Sequence, residues 1–155
     1  MGTVKNIKKR QKSVRIKNYI DSLIEKHSNI NHSNIKIMAK IAIIVYSDTD
    51  TVEALGKVSN AFMLALEAIE SGDELKIIFE GAGTKWIGEM EKEDHKLHQL
   101  YSGLKGKITG ACSFCAKSFG VKSQVEKAGI TLLSDFKDHP SIRSLVVEGY
   151  QILNY

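Results

Sequence analysis

From Ile41 to Tyr46 the chain reads Ile-Ala-Ile-Ile-Val-Tyr, six residues without a charge. A β-branched run of this length fits a strand covered on both faces, as in a parallel sheet. Asp50, with Glu53 three residues on, predicts a helix opening at a capping box. Leu55, Val58, Phe62, Ala65, Leu66 and Ile69 then recur with helical period, and Ser71-Gly72-Asp73 stops the helix. Residues 75–80 predict a second strand, 81–84 a loop, and Trp86-Ile87 the start of a short helical turn. Residues 92–101 read as a polar helix with Leu97, Leu100 and Tyr101 on its inner face. A third strand, 107–111, ends at Cys112. Helices over 113–119 and 121–128 are each closed by a glycine, Gly120 and Gly129. Residues 130–133 predict a fourth strand. Pro140, read as part of a helix first turn, leads a helix over 141–148, and 150–153 predict a short last strand.

Strands alternate with helices throughout, so the pattern predicts an α/β domain with a mostly parallel sheet. Sites in such sheets lie at the carboxyl ends of the strands. Three segments follow those ends: 47–50, 81–85 and 112–115.

Composition narrows the class. The chain has 155 residues, 43% of them apolar, enough for one domain with a real core. No run approaches the roughly 18 apolar residues that span a bilayer. The basic start is not followed by an apolar stretch, so no secretory leader is expected. Two cysteines are too few for a disulfide framework and point to a reducing cytoplasm.

The net charge of +4 is unevenly spread. Residues 1–37 hold nine Lys or Arg against two acids, a balance of +7, and 38–155 carry −3. A basic extension, 1–37, therefore precedes an acidic domain, 38–155. Residues 28–37 are built almost wholly from Ser, Asn, Ile, His and Lys, and Met38-Ala39-Lys40 looks like a natural start. The working domain is expected to begin at Met38, with 1–37 outside the core and the product of a misplaced start site. Ile16, Ile20, Leu23 and Ile24 have helical spacing, but so short an isolated helix is marginal in water. With Tyr19 as its lone aromatic, the extension reads as a solvated arm before it reads as a nucleic-acid contact.

Gly81 and Gly83 follow a strand, which invites a phosphate loop. Trp86 stands where the dinucleotide fingerprint needs its third glycine, so a tight turn is favoured. Their place at a strand end keeps both among the candidate binding residues. His95 and His98, at i and i+3, could share a metal, but a structural site needs four ligands and no metal is assigned.

Cys112-Ser113-Phe114-Cys115 is the strongest local signal. Cys112 falls where a buried strand gives way to a helix, and free N–H groups there favour a thiolate. Cys115, one turn on, faces inward with Phe119 and reads equally as a small buried hydrophobe. Pro140, the lone proline, leads a helix, so a thioredoxin-type cis-proline facing the cysteines is not expected.

The segment Ala111-Cys112-Ser113-Phe114-Cys115-Ala116-Lys117-Ser118-Phe119-Gly120-Val121 resembles the cysteine motif of the DsrE/DsrF-like family of small sulfur-relay proteins. In that family a cysteine ends a central strand and a glycine follows eight positions later, as Gly120 follows Cys112. Phe79-Glu80-Gly81-Ala82-Gly83-Thr84-Lys85-Trp86 is similar to a glycine-bearing segment of some members, and Glu148-Gly149-Tyr150 resembles the aromatic-containing last strand. The resemblance covers 38–155. It implies a three-layer fold with a five-stranded sheet and helices on both faces, assembly into trimers or hexamers, and a cysteine that carries a persulfide. Cys115 departs from the best-studied carriers.

The sequence is accordingly read as a sulfur (persulfide) carrier with Cys112 as nucleophile and Cys115 as second candidate. Ser113 and the N–H groups after it would hold the sulfur anion. The carrier needs no metal or organic cofactor. Its expected partners are copies of itself, a sulfur donor and a sulfur acceptor, with no membrane. A dithiol redox protein using both cysteines, and a non-catalytic oligomeric binding module, are the alternatives.

Overall fold

The computed structural model describes residues 38–155, which form one unit. The basic extension and its short helical pattern lie outside the described residues. Five strands, β1 (Lys40–Val45), β2 (Glu74–Phe79), β3 (Ile108–Cys112), β4 (Leu132–Leu133) and β5 (Gln151–Asn154), form one sheet in the order β4-β3-β2-β1-β5. Every pairing is parallel. Among the described residues six α-helices pack with the sheet: α1 (Val52–Ser71), α2 (Lys85–Met90), α3 (His98–Leu104), α4 (Ser113–Ser118), α5 (Lys122–Lys127) and α6 (Ile142–Val147). Among the described residues no helix is long and apolar enough to cross a membrane.

The period-2 alternation of a strand divides the core in two. Ile43, Val45, Ile77 and Phe79 point to one face and pack with Val58, Phe62 and Ala65 of α1, Trp86 of α2 and Tyr101 of α3. Ala42, Ile44 and Ile78 point to the other, where Leu145 of α6 and Tyr150 cover them. The sheet is thus the middle of three layers, one thick and one thin. The thin face explains why Val146 and Val147 remain exposed beside buried Leu145.

Local chemistry shifts several boundaries. Helix α1 opens at Thr51, not Asp50: the Thr51 hydroxyl accepts the Ala54 N–H at 3.0 Å. Gly72, at φ +74°, closes it as expected. The helix expected from Lys92 begins only at His98. Ahead of it, His95 Nδ1 accepts the Leu97 N–H at 3.2 Å, capturing a donor that a continuous helix needs. Pro140 lies just before the Ser141 cap of α6, outside the helix's first turn.

Candidate functional site

All five parallel strands end on the same side of the sheet, and residues at or after the ends of four of them, β1 to β4, converge. Cys112 is the last residue of β3 and the N-cap of α4. It is fully buried, and its Sγ accepts the Cys115 N–H at 3.2 Å. Cys115 is 8% exposed, and both thiols are free. Glu80 follows β2, and Tyr46 follows β1. The Tyr46 hydroxyl donates to Glu80 Oε2 at 3.0 Å.

The fourth contributor comes from the loop after β4. Phe136 and His139 exchange N–H···O=C bonds of 2.9 Å in both directions, closing a two-residue hairpin. Its central residues, Lys137 and Asp138, both have positive φ (49° and 64°), as a type I′ turn requires. The turn delivers His139, whose Nδ1 lies 3.3 Å from Cys112 Sγ and 3.5 Å from Glu80 Oε1. Phe114 stacks against the imidazole with ring centroids 4.7 Å apart. The Asp138 carbonyl accepts the Phe114 N–H at 2.9 Å and lies 3.8 Å from Cys112 Sγ. A left-handed lysine is strained, whereas asparagine tolerates that conformation. Lys137→Asn should therefore raise stability by about 0.5–1 kcal/mol in urea unfolding; an unchanged or lower midpoint would contradict the turn geometry.

The Cys112 thiol is not the depressed one that a strand–helix junction leads one to expect. Burial pushes the Cys112 thiol well above its usual range, and the neighbouring Cys115 and the Glu80 carboxylate push it further. The Cys115 N–H acts in the opposite direction but does not prevail. The expected row of N–H groups for a sulfur anion is also reduced, because Phe114 N–H is bound to Asp138. Tyr46 is pushed up to about 12 by burial and then by Glu80, so it stays a donor to that carboxylate.

Of the expected binding residues, Ser113 begins α4 beside Cys112, but the N–H on the sulfur comes from Cys115. Gly81 takes φ +56°. Gly83 is buried, and a Cβ there would lie 2.1 Å from the Val45 carbonyl oxygen, so its duty is close packing. Segments 47–50 and 81–85 are joined to each other: Lys85 Nζ meets Asp48 Oδ1 at 2.5 Å, while the next residue's indole, Trp86 Nε1, donates to the Ser47 carbonyl at 2.9 Å. The Lys85 hydrogen bond holds the Asp48 carboxyl below its usual range. A surface cleft of about 560 Å³ opens beside them, lined by Asp50, Trp86, Glu89 and His95, and the cysteines do not line it. His95 packs on Trp86 and His98 Nδ1 meets the Met90 carbonyl, so neither completes a set with the cysteines. His139, Glu80 and Tyr46 were not anticipated. Reading one residue earlier at the first two strand ends, and including the loop after the fourth, would have collected them.

Fold and site together define an α/β protein that presents two thiols, an imidazole and a carboxylate at the ends of a parallel sheet. No protein-family model matches the chain. Over 94 residues it is 32% identical to the uncharacterized protein MJ0733 of Methanocaldococcus jannaschii, covering 61% of this chain and 76% of that one, and it belongs to the same family. A solved structure, the conserved protein of unknown function BT1422 from Bacteroides thetaiotaomicron, shares the fold. It is 24% identical with a TM-score of 0.51, covering 74% of this chain and 94% of that one.

Proposed function

We propose that the protein is a cysteine-based sulfur carrier of the DsrE-like type, with Cys112 as the loaded residue. The observation that carries this reading is the 3.3 Å approach of His139 Nδ1 to Cys112 Sγ. A thiol held protonated by burial needs a base at the moment of attack, and an imidazole within hydrogen-bond reach supplies one. In loading, Cys112 Sγ attacks the terminal sulfur of a donor persulfide. The donor S–S bond breaks and a new S–S bond forms on Cys112. The proton leaving Cys112 passes through His139 to the departing donor thiolate. Release to an acceptor thiol is the same exchange in reverse, and no external oxidant or reductant enters.

Phe114 and Phe136, flanking the histidine, are 50% and 64% exposed and give donor and acceptor proteins an apolar surface to dock on. Self-association into trimers or hexamers, through exposed Val146, Val147 and Leu153, belongs to the same reading, as does a reducing cytoplasm.

The test is persulfide loading of reduced protein in the presence of a chelator, followed by intact mass. Wild type and Cys115→Ser are expected to gain one sulfur, and Cys112→Ser none. His139→Ala should load more slowly by about tenfold or more. Normal loading of Cys112→Ser, or no loading of any variant, overturns the carrier reading. A second reading, a dithiol redox protein, is favoured by the two free sulfurs lying within 4.8 Å of one another. A reversible Cys112–Cys115 disulfide with a potential near that of thioredoxin would select it.

A further inference from the structure

We propose that Glu80, Cys112, Cys115 and His139 form a four-ligand site for a thiophilic divalent cation, Zn²⁺. One donor atom from each lies within 4.8 Å of every other. With zinc bonds of about 2.3 Å to sulfur and about 2.0–2.2 Å to nitrogen or oxygen, a tetrahedron has edges of about 3.3–3.8 Å. The Cys112 Sγ–His139 Nδ1 and His139 Nδ1–Glu80 Oε1 separations, 3.3 and 3.5 Å, already fall in that range. The remaining donor pairs lie within 4.8 Å, at most about 1 Å beyond the longest such edge. Two sulfurs with one nitrogen and one oxygen suit zinc, whereas calcium and magnesium take oxygen.

The surroundings fit a metal shell as well as the donors do. Ligands of bound metals are held by outer hydrogen bonds that fix their orientation. The Tyr46 hydroxyl occupies Glu80 Oε2, leaving Oε1 turned to His139. The Cys115 N–H meets Cys112 Sγ, and Phe114 stacks on the imidazole. The ligands come from the β2 end, the β3–α4 junction and the hairpin after β4, so one ion would tie three separate connections together. His139, with about a third of its side chain exposed, provides the entry side.

Binding displaces the two thiol protons, which pass to solvent as two Zn–S bonds form. Cys112 Sγ cannot then attack a persulfide, so zinc occupancy and sulfur loading exclude each other. That second statement rests on the carrier reading, whereas metal binding itself does not.

The test uses reduced, metal-free protein titrated with Co²⁺ and then Zn²⁺. One equivalent of Co²⁺ should bind, with thiolate-to-metal charge-transfer absorption and the strong visible bands of a tetrahedral site. Zn²⁺ should displace it. Cys112→Ser and Cys115→Ser should each lose about half the charge-transfer intensity. Glu80→Ala and His139→Ala, with folding checked by circular dichroism, should bind at least about tenfold more weakly. Absence of thiolate bands, or wild-type affinity in both Glu80→Ala and His139→Ala, overturns the site. For the exclusion, Zn²⁺ should block sulfur loading of wild type, and a chelator should restore it. Loading without metal binding removes only the zinc site, whereas metal binding without loading in the metal-free protein removes only the carrier. If wild type loads with zinc demonstrably bound, the exclusion fails.

Discussion

Replacing Gly83 with alanine is expected to destabilise the domain by about 3 kcal/mol or more, at the upper end of what overpacking costs. The added Cβ would sit 2.1 Å from the Val45 oxygen and 2.7 Å from its carbonyl carbon. Both are backbone atoms and cannot swing aside. The same Val45 oxygen accepts the Glu80 N–H at 2.9 Å, so relieving the clash pulls on the residue that faces His139. For a domain of this size such a loss lowers Tm by on the order of 15 °C. Thermal unfolding of Gly83→Ala beside Gly56→Ala, where an added Cβ meets nothing within 4 Å, separates crowding from a general intolerance of alanine. Equal melting of the two variants would remove the close approach from the account of this turn.

The second large effect concerns pH. Alkylation of Cys112, measured in Cys115→Ser with a chelator present, should be slower than that of the unfolded chain by about a hundredfold or more near neutral pH, and its rate should still be climbing at about pH 9. Burial is the first cause, by raising the thiol pKa as well as by shielding the sulfur, and the Glu80 charge adds to it. The sign for stability follows from the raised value. The unfolded thiol ionises first, so the contribution is fully present below the unfolded pKa and is lost as pH rises from there through the folded one. Stability of wild type should therefore fall in alkaline solution, and the fall should diminish in Cys112→Ser. A rate that levels off near neutral pH would mean that the thiol is ionised at rest.

Most of the fold was legible because its signals are local. The run 41–46, the glycines at 72, 120 and 129, and the strand-to-helix change at Cys112 each fix a segment without reference to anything distant. The polar stretch 92–97 departs from the helix its pattern predicts because its outcome depends on where the His95 side chain goes, and hydrophobic period carries no information about that. The site was half legible. The C-x-x-C motif announces itself, but His139 lies 27 residues from Cys112 in a turn whose two central residues, Lys and Asp, do not advertise positive φ. The thiol's acidity was misjudged for a related reason. A strand end suggests the field of a following helix, but how deeply the sulfur is buried depends on packing across the whole sheet.

The position of β5 has a consequence for synthesis. β1 lies between β2 and β5, yet β5 is the last of the five strands to be made. Until it emerges, one edge of β1 has no β5 partner, and the Tyr46 and Ser47 N–H groups lack the Tyr155 carbonyl they share in the finished fold. α6 and Tyr150, which cover the thin face, arrive equally late. A nascent chain stalled ahead of residue 150 would therefore display an apolar strand with an open edge, the kind of segment that chaperones hold and that aggregates recruit.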